Sequence, residues 1–329
     1  MKNIIKFCIA AVIGATLAFS AVAKDNVRVG FLVKQAEEPW FQTEWKFAEK
    51  AAADNGFELL KIAVPDAERT LSAIDTLAAK GAVGFVICAP DVRLGPAIMA
   101  KAKAAGLKVV TVDDRFVGSD GKFMEEVPYM GMDAHAVGIE AGNVLITEAK
   151  NRGWDFSETG LVINSYDELD TIQQRTSGVI KAVTAGGFPE ANIYAAPLRA
   201  LEIPASFDAT NIVLTKYPNI KHWLVAGGND NSVLGGVRAI EGAGFKPEDI
   251  IGVGINGTDV VAEFEKTDVT GMYASMLPKP DVHGYETTMM VYNWAVKNEE
   301  PKLFNPIGNP TVLTRDNFKE ELSKLGLLN

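Results

Sequence analysis

The sequence predicts an α/β protein of two similar lobes, each a parallel sheet covered by helices on both faces. Short, nearly continuous apolar runs alternate with longer segments of helical period, which is typical of buried parallel strands and their crossover helices. This alternation restarts near residue 133, after a first set of four strands. The chain has 329 residues, which is more than one hydrophobic core is expected to hold, so two lobes are predicted.

Four strands and three helices account for the first lobe. Gly56, Gly81 and Gly106 follow the three helical segments and favour their termination. Pro65 ends the second strand because proline has no N–H to donate to a strand ladder. The predicted strands are 27–33, 57–64, 82–88 and 107–112, and the predicted helices are 41–55, 70–80 and 94–105.

The second half of the chain repeats this alternation. Pro278 and Pro280 interrupt it, and we expect the chain to cross between the lobes there. The predicted strands are 160–163, 192–196, 222–226, 250–255, 271–276 and 311–314. The predicted helices are 136–150, 171–185, 207–217, 232–241, 260–266 and 282–297, with a last helix beginning at Asp316.

The first residues predict export. Lys2 and Lys6 lead into an uncharged apolar run over 7–19, and an Ala-x-Ala site follows at 21–23. This is the pattern of a secretory signal peptide, here 1–23, cleaved after Ala23. A membrane anchor fits less well, because a spanning helix needs about 20 apolar residues. We therefore expect a periplasmic protein that begins at Lys24.

Composition argues against several classes of function. The formal net charge of −10 disfavours general binding to nucleic acid or to an anionic membrane. Cys88 is the one cysteine that follows the predicted cleavage site, so no internal disulfide is expected. His135, His222 and His283 are far apart in sequence and lack metal-ligand spacing, which disfavours a zinc site or a histidine-dependent triad. We predict neither a metal nor a cofactor.

Two motifs suggest enzymes but fit poorly. Gly252, Gly254 and Gly257 match the dinucleotide-binding pattern, yet the match begins inside a strand and lacks the acid that would bind a ribose. Asp113 and Asp114 suggest the acid pair of a glycosidase, whose carboxyl groups lie about 5–10 Å apart. Neighbouring residues of a strand point to opposite faces, so we expect this pair not to form that geometry. The sequence therefore favours a binding protein.

The predicted strand ends carry a mixed set of polar groups. Ligands of open parallel sheets bind beyond the carboxyl ends of the strands, so these residues are the candidates for a site. Hydroxyl groups both donate and accept hydrogen bonds, so a neutral, hydroxyl-rich ligand would suit cations, carboxylates and amides together. The candidates are Lys34, Cys88, Asp113 and Asp114 in the first lobe, and Asn229, Asn256 and, on a helix, Arg175 in the second.

Segments along the whole mature chain resemble the periplasmic L-arabinose-binding proteins of ABC sugar importers, in the type 1 family of periplasmic binding proteins. The resemblance implies two Rossmann-like lobes joined by a three-strand hinge, with one monosaccharide in the cleft. L-arabinose is expected, with D-galactose or D-fucose as further ligands. The segments that carry the resemblance are 30–34, 37–47, 84–88, 112–114, 168–171, 229–230, 233–239, 254–257 and 277–284.

The resemblance also implies the organisation of the chain and its partners. The N-terminal lobe would comprise 24–132 with 279–308, and the C-terminal lobe 133–278 with 309–329. The protein would be a monomer that delivers its sugar to the membrane permease of an ABC transporter.

The resemblance implies a role for each site residue. Lys34 and Glu38 would bind hydroxyls, and Asp113 and Asp114 would be carboxylates, one of which accepts from the anomeric hydroxyl. Arg175 would reach the ring oxygen. Trp40 and Phe41 would line the ring, Asn229 and Asn256 would donate, Met132 would lie beside the C5 substituent, and Cys88, Leu169, Thr171 and Asp259 would complete the surroundings.

The chain departs from the resemblance at Gly131 and Gly228, where related proteins carry methionine. These changes leave the polar set intact and bear on the pocket volume, and so on the preferred sugar. A receptor for galactose, fucose or ribose is therefore an alternative, and a secreted sugar-acting enzyme a weaker one. A transcription repressor would carry an N-terminal helix-turn-helix, whereas this chain carries an export signal.

Overall fold

The computed structural model describes residues 27–328, so the predicted signal peptide lies outside the described residues. Within that range the strands closely follow the predicted ones, with two short additions, β5 and β11. The strands are β1 Arg28–Val33, β2 Glu58–Ala63, β3 Gly84–Cys88, β4 Lys108–Val112, β5 Tyr129–Met132, β6 Thr159–Ser165, β7 Ile193–Pro197, β8 His222–Gly227, β9 Ile250–Ile255, β10 Met272–Leu277, β11 Phe304–Ile307 and β12 Thr311–Thr314.

These strands form two six-stranded sheets of matching order, which confirms the predicted α/β fold with two similar lobes. The first sheet runs β11-β5-β4-β3-β1-β2 and is parallel throughout. The second runs β12-β10-β9-β8-β6-β7, and β12 alone is antiparallel to its neighbour. The chain passes between the sheets after β5, after β10 and after β11.

Helices cover both faces of each sheet, and an apolar cluster lies under each covered face. Two predicted helices differ in form: the segment near 260 is one short turn, and the segment from 282 begins as a π-helical turn, Val282–Glu286. Every helix within 27–328 is too short or too polar to cross a bilayer. The helices are α1 Pro39–Asn55, α2 Ala67–Ala79, α3 Gly95–Ala104, α4 Ala134–Asn151, α5 Asp170–Ala185, α6 Ile203–Lys216, α7 Asp230–Gly242, α8 Val261–Phe264, α9 Thr287–Lys297 and α10 Phe318–Lys324.

Helix α1 directly follows the end of β1 and starts two residues earlier than predicted. Pro39 occupies its first turn, where a missing N–H costs nothing, and Gly56 closes it with a φ of 71°. This start places Trp40 and Phe41 in the first turn, beside the carboxyl ends of the first sheet.

Helices α4 and α5 approach each other closely because glycine lies at their crossing. A Cβ at Gly138 would overlap the carbonyl oxygen of Arg175 and lie 2.8 Å from its carbonyl carbon. A Cβ at Gly178 would lie 2.9 Å from the amide nitrogen of Ile139. The crossing therefore fixes the position of the backbone that carries Arg175.

We expect Gly138→Ala to destabilise the second lobe, because the added methyl meets backbone that cannot move away. Overpacking of this kind costs about 1–3 kcal/mol of the free energy of unfolding, measured by urea denaturation. Gly242→Ala is the control, since a Cβ there would have only Phe207, at 4.0 Å, nearby. Equal stability of the two variants would contradict the close approach.

Candidate functional site

A cavity of about 50 Å³ lies between the lobes, at the carboxyl ends of the strands of both sheets. The structure brings most of the predicted site residues to it, and adds Gln35, Ile172 and Leu201. Cys88, Met132 and Asp259 do not line this cavity but lie close behind its wall. The lining residues are Lys34, Gln35, Glu38, Trp40, Phe41, Asp113 and Asp114 in the first lobe, and Leu169, Thr171, Ile172, Arg175, Leu201, Asn229 and Asn256 in the second.

The two neighbouring aspartates both reach the cavity, so the expectation that they point to opposite faces is wrong. Strand β4 ends at Val112, and Asp113 has a φ of 62°, outside the extended region. The Asp114 amide donates to the Val112 carbonyl at 2.7 Å, which closes a tight turn centred on Asp113. Both side chains are buried, with 7% and 4% of their surface exposed.

Asp114 is a polar link between the lobes. Its carboxylate accepts from Lys34 Nζ at 2.7 Å and, across the cleft, from Thr171 Oγ1 at 2.6 Å. Burial lowers the pKa of Lys34, but Asp114, Cys88 and Asp113 together outweigh burial and raise that pKa above its usual range. Cys88 lies behind this pair, with its Sγ 3.7 Å from Asp114, and burial raises the pKa of its thiol.

Asp113 is held by donors of its own lobe. Its carboxylate accepts from Trp40 Nε1 at 3.0 Å and is 2.9 Å from Nδ1 of His283. Burial alone would raise the pKa of Asp113, but His283 and Trp40 together hold it below its usual range. Trp40 therefore serves two purposes, since its ring lines the cavity and its N–H binds the carboxylate.

Glu44 and His283 extend this network beneath the cavity. His283 Nδ1 is 3.4 Å from Glu44 Oε1, and both side chains are fully buried. This cluster cannot be predicted from sequence spacing, because its members are far apart in the chain. Glu44 lies on α1, Asp113 after β4 and His283 in the π-helical turn that follows a crossing. One atom from each of the three lies within 4.8 Å of the others, a geometry that could hold a metal ion. Nδ1 of His283 already lies 2.9 Å from Asp113 and 3.4 Å from Glu44, so we interpret the cluster as an ion network.

Arg175 approaches the cavity from α5, with 6% of its surface exposed. Its Nη1 donates to the Gly228 carbonyl at 2.5 Å, and Nη2 is 3.1 Å from the sulfur of Met132. Among the described residues, Nε of Arg175 has no hydrogen-bond partner. Met132 and Thr171 separate this cavity from a second one of about 260 Å³ on the side of β5 and β11.

The two asparagines are fixed by backbone contacts. Asn229 caps α7, where its Oδ1 accepts from the Ser232 amide at 2.9 Å, and its Nδ2 donates to the Leu201 carbonyl at 3.2 Å. Asn256 follows β9 with a φ of 129°, and its amide donates to the Met276 carbonyl at 3.0 Å. Both side chains therefore reach the cavity from strand ends of the second sheet, as the sequence predicts.

Glu38 is an acid at the rim of the cavity. Burial and the charge of Asp259 across the cleft raise its pKa to about 7. Its Oε1 accepts from Gln35 at 3.0 Å. Asp259 itself accepts from Asn231 at 3.4 Å and acts on the site through its charge rather than as a lining residue.

Three lining residues were not predicted from the sequence, and a sequence pattern could have indicated some of them. Ile172 lies three residues before Arg175 on α5, so helical spacing could have placed it on the same face. Gln35 directly follows Lys34 at the end of β1. Leu201 comes from the loop between β7 and α6, and no motif or spacing marks it.

A family model for periplasmic binding proteins and the sugar-binding domain of the LacI family matches residues 26–309. The chain belongs to this family of periplasmic binding proteins. It is 53% identical over 327 residues to the L-arabinose-binding periplasmic protein of Escherichia coli (strain K12), covering 99% of each chain. It is 38% identical to an ABC transporter L-arabinose-binding periplasmic protein of Azospirillum brasilense, covering 99% of this chain and 98% of that one.

Two solved structures of arabinose-binding proteins share the fold. The arabinose-binding protein of Geobacillus stearothermophilus matches with a TM-score of 0.69 at 17% identity, over 90% of this chain and 99% of that one. The arabinose transporter component of Shewanella sp. ANA-3, bound to α- and β-L-arabinofuranose, matches with a TM-score of 0.70 at 19% identity, over 90% and 95%.

Gly228, where the sequence departs from its family resemblance, is explained by its apolar neighbours. A Cβ there would lie 2.7 Å from Ile172 Cγ2 and 2.9 Å from Leu201 Cδ2, and both of these side chains line the cavity. In this periplasmic binding protein, Ile172 and Leu201 thus occupy space that a side chain at position 228 would take. The carbonyl of Gly228 remains available to Arg175.

We expect the stability of the protein to fall as the pH rises from about 6.5 to 9. The paired carboxyl groups outweigh burial and raise the pKa of His283 from 6.5 to about 9, and burial raises that of Glu44 from 4.5 to about 8. Both folded-state values exceed the unfolded ones, so the stability they contribute is present at lower pH and lost as the groups deprotonate.

His283→Gln tests this expectation by thermal unfolding across the same pH range. Removing the partner of a buried carboxylate costs about 3–5 kcal/mol, so the variant should melt earlier at pH 6.5 and show a flatter pH profile. His135→Gln, at a partly exposed histidine, is the control. An unchanged slope in His283→Gln would contradict the assignment.

Proposed function

We propose that this chain is the solute-binding component of an ABC importer and that it binds L-arabinose between its lobes. The observation that carries the proposal is the 53% identity, over 99% of both chains, to an L-arabinose-binding periplasmic protein. By the same resemblance, residues 1–23 would direct export to the periplasm. A monomer would then deliver the sugar to a membrane permease.

The chemistry of the cavity supports a neutral sugar. Lys34 and Arg175 donate, Asp114 and Glu38 accept, and each sugar hydroxyl can do both. The rings of Trp40 and Phe41 offer a flat surface to the C–H face of a sugar ring. The cavity of about 50 Å³ also leaves no room for an oligosaccharide.

The lobes would close around the sugar. The proposed N-terminal lobe comprises 24–132 with 279–308, and the C-terminal lobe 133–278 with 309–329. The hydrogen bond from Thr171 to Asp114 supports closure, because it joins side chains of the two sheets directly. A sugar held first by one lobe would gain the donors of the other on closing, and this differential contact stabilises the closed state.

A second candidate is a receptor that also accepts D-galactose or D-fucose. The cavity of about 260 Å³ behind Met132 and Thr171 favours it, since a substituent on C5 of the sugar could extend towards that space. Met132 would then govern the preference between pentoses and hexoses.

We propose binding without chemical change. A glycosidase needs one carboxyl group that stays protonated as an acid and a second that acts as base or nucleophile. Asp113 and Asp114 are instead each paired with a cation, His283 and Lys34 respectively. Both relatives described above are named as binding proteins.

Calorimetry of the mature protein with L-arabinose, D-galactose, D-fucose and D-ribose tests the function. We expect L-arabinose to bind with micromolar or tighter affinity, which corresponds to about 8 kcal/mol or more. Arg175→Ala should weaken binding about 100-fold, because truncating a buried charged partner costs about 2–5 kcal/mol. Arg93→Ala, at an exposed arginine, is the control. The absence of saturable binding of all four sugars would refute the proposal.

Binding should also release protons near pH 7. Sugar hydroxyls that donate to Glu38 would favour its carboxylate and lower its pKa from about 7, so affinity should rise between pH 6 and 8. Calorimetry in buffers of different ionisation enthalpy measures the release. Glu38→Gln should abolish it and Glu37→Gln, at an exposed neighbour, should not. Unchanged proton release in Glu38→Gln would exclude Glu38 as a ligand of the sugar.

A further inference from the structure

The turn that presents the two aspartates adopts a conformation that needs support. Asp113 has a φ of 62°, in the left-handed region that is unfavourable for a non-glycine residue. The turn is short, since the Asp114 amide bonds to the carbonyl only two residues back. If the turn relaxed, both carboxylates would leave their places in the cavity wall.

Tyr129 supplies support from the neighbouring strand. It begins β5, its side chain is 6% exposed, and its hydroxyl donates to the Asp113 carbonyl at 3.1 Å. Met130 adds a backbone contact, because its carbonyl accepts from the Asp113 amide at 3.2 Å. The backbone of the turn is therefore held on both its N–H and its C=O by β5.

The reach of Tyr129 depends on Gly131. The two residues lie on one face of β5, because side chains two apart on a strand point the same way. A Cβ at position 131 would overlap the Tyr129 hydroxyl and lie 2.6 Å from Cζ and 2.9 Å from Cε2. The Tyr129 ring thus lies over Gly131 on its way to the turn, and a side chain at 131 would displace the hydroxyl.

The other face of the Tyr129 ring is also filled. Phe304, on the adjacent strand β11, stacks on it with centroids 5.9 Å apart and an interplanar angle of 24°. The Arg115 guanidinium lies 5.8 Å from the centre of the same ring. The ring is thus bordered by Gly131, Phe304 and Arg115, and it also lines the cavity of about 260 Å³. A larger residue at 131 would therefore push the hydroxyl away from the turn, towards that space.

We propose that Tyr129 and Gly131 form a positioning pair that holds the Asp113 turn in the conformation the sugar site requires. The inference rests on the proposed sugar-binding function and assigns to it two residues that do not line the cavity between the lobes; Tyr129 lines the second cavity instead. Gly131 leaves the space that the Tyr129 ring occupies, and the Tyr129 hydroxyl donates the hydrogen bond to the turn. The effect of a substitution at Gly131 on sugar binding therefore depends on Tyr129 rather than on contact with the ligand.

Sugar affinity tests the pair. Tyr129→Phe keeps the ring and removes the hydroxyl, and should weaken L-arabinose binding about tenfold while Tyr292→Phe, at another buried tyrosine of this lobe, leaves it unchanged. Gly131→Ala should weaken binding at least as much. In a Tyr129→Leu background, where the ring is gone, Gly131→Ala should change affinity less than twofold, because the two effects are coupled.

Hydrogen exchange of the Asp114 amide provides a readout that needs no sugar. This N–H closes the turn, so Tyr129→Phe should speed its exchange about tenfold, with the Leu224 amide in the other lobe unchanged. If the wild-type protein binds none of the sugars, the proposed function has failed and the exchange rates alone decide the inference. Unchanged Asp114 exchange in Tyr129→Phe, or an equal effect of Gly131→Ala in the Tyr129→Leu background, would overturn it.

Discussion

The structure depends on two neighbouring carboxylates buried at the end of one strand. Burying an unpaired charge is prohibitive, so each aspartate needs its own cation within the same lobe. Lys34 from the end of β1 pairs with Asp114, and His283 from the turn after a crossing pairs with Asp113. Neither cation comes from the strand that carries the acids, so the pairs fix β1, β4 and the crossing segment relative to one another.

This requirement also explains the architecture around the pairs. Helix α1 contributes Trp40 to the Asp113 carboxylate and Glu44 to the imidazole, which ties the helix to the same point. The turn at Asp113 directs both carboxylates towards the cleft, and β5 holds its backbone. The carboxylates of the first-lobe half of the site are therefore held by contacts within their own lobe, and the second lobe adds its donors to them.

The fold and half of the site chemistry follow from local patterns, and the rest does not. The spacing of apolar residues and the glycines after helices predict the repeated strand–helix units. Because ligands of parallel sheets bind at the carboxyl ends of the strands, the predicted strand ends identify Lys34, Asp114 and Asn229. Strands β5 and β11 were not predicted. Each has only four residues, and these include Gly131 or Pro306, residue types that disfavour a strand. The role of His283 and the left-handed conformation of Asp113 could not be predicted. Contacts between residues distant in sequence determine both, and spacing along the sequence does not reveal such contacts.

The balance of charge around the cavity determines what it can select. Lys34, His283 and Arg175 bring three cations, and Asp113, Asp114 and Glu38 bring three acids, with Glu44 beneath the cavity and Asp259 behind its wall as further acids. A charged ligand would add an uncompensated buried charge, whereas a neutral polyol leaves the balance intact and satisfies donors and acceptors alike. If the proposed function holds, charge compensation would disfavour sugar acids and amino sugars, and Ile172, Leu201 and Met132 would distinguish one neutral sugar from another by shape.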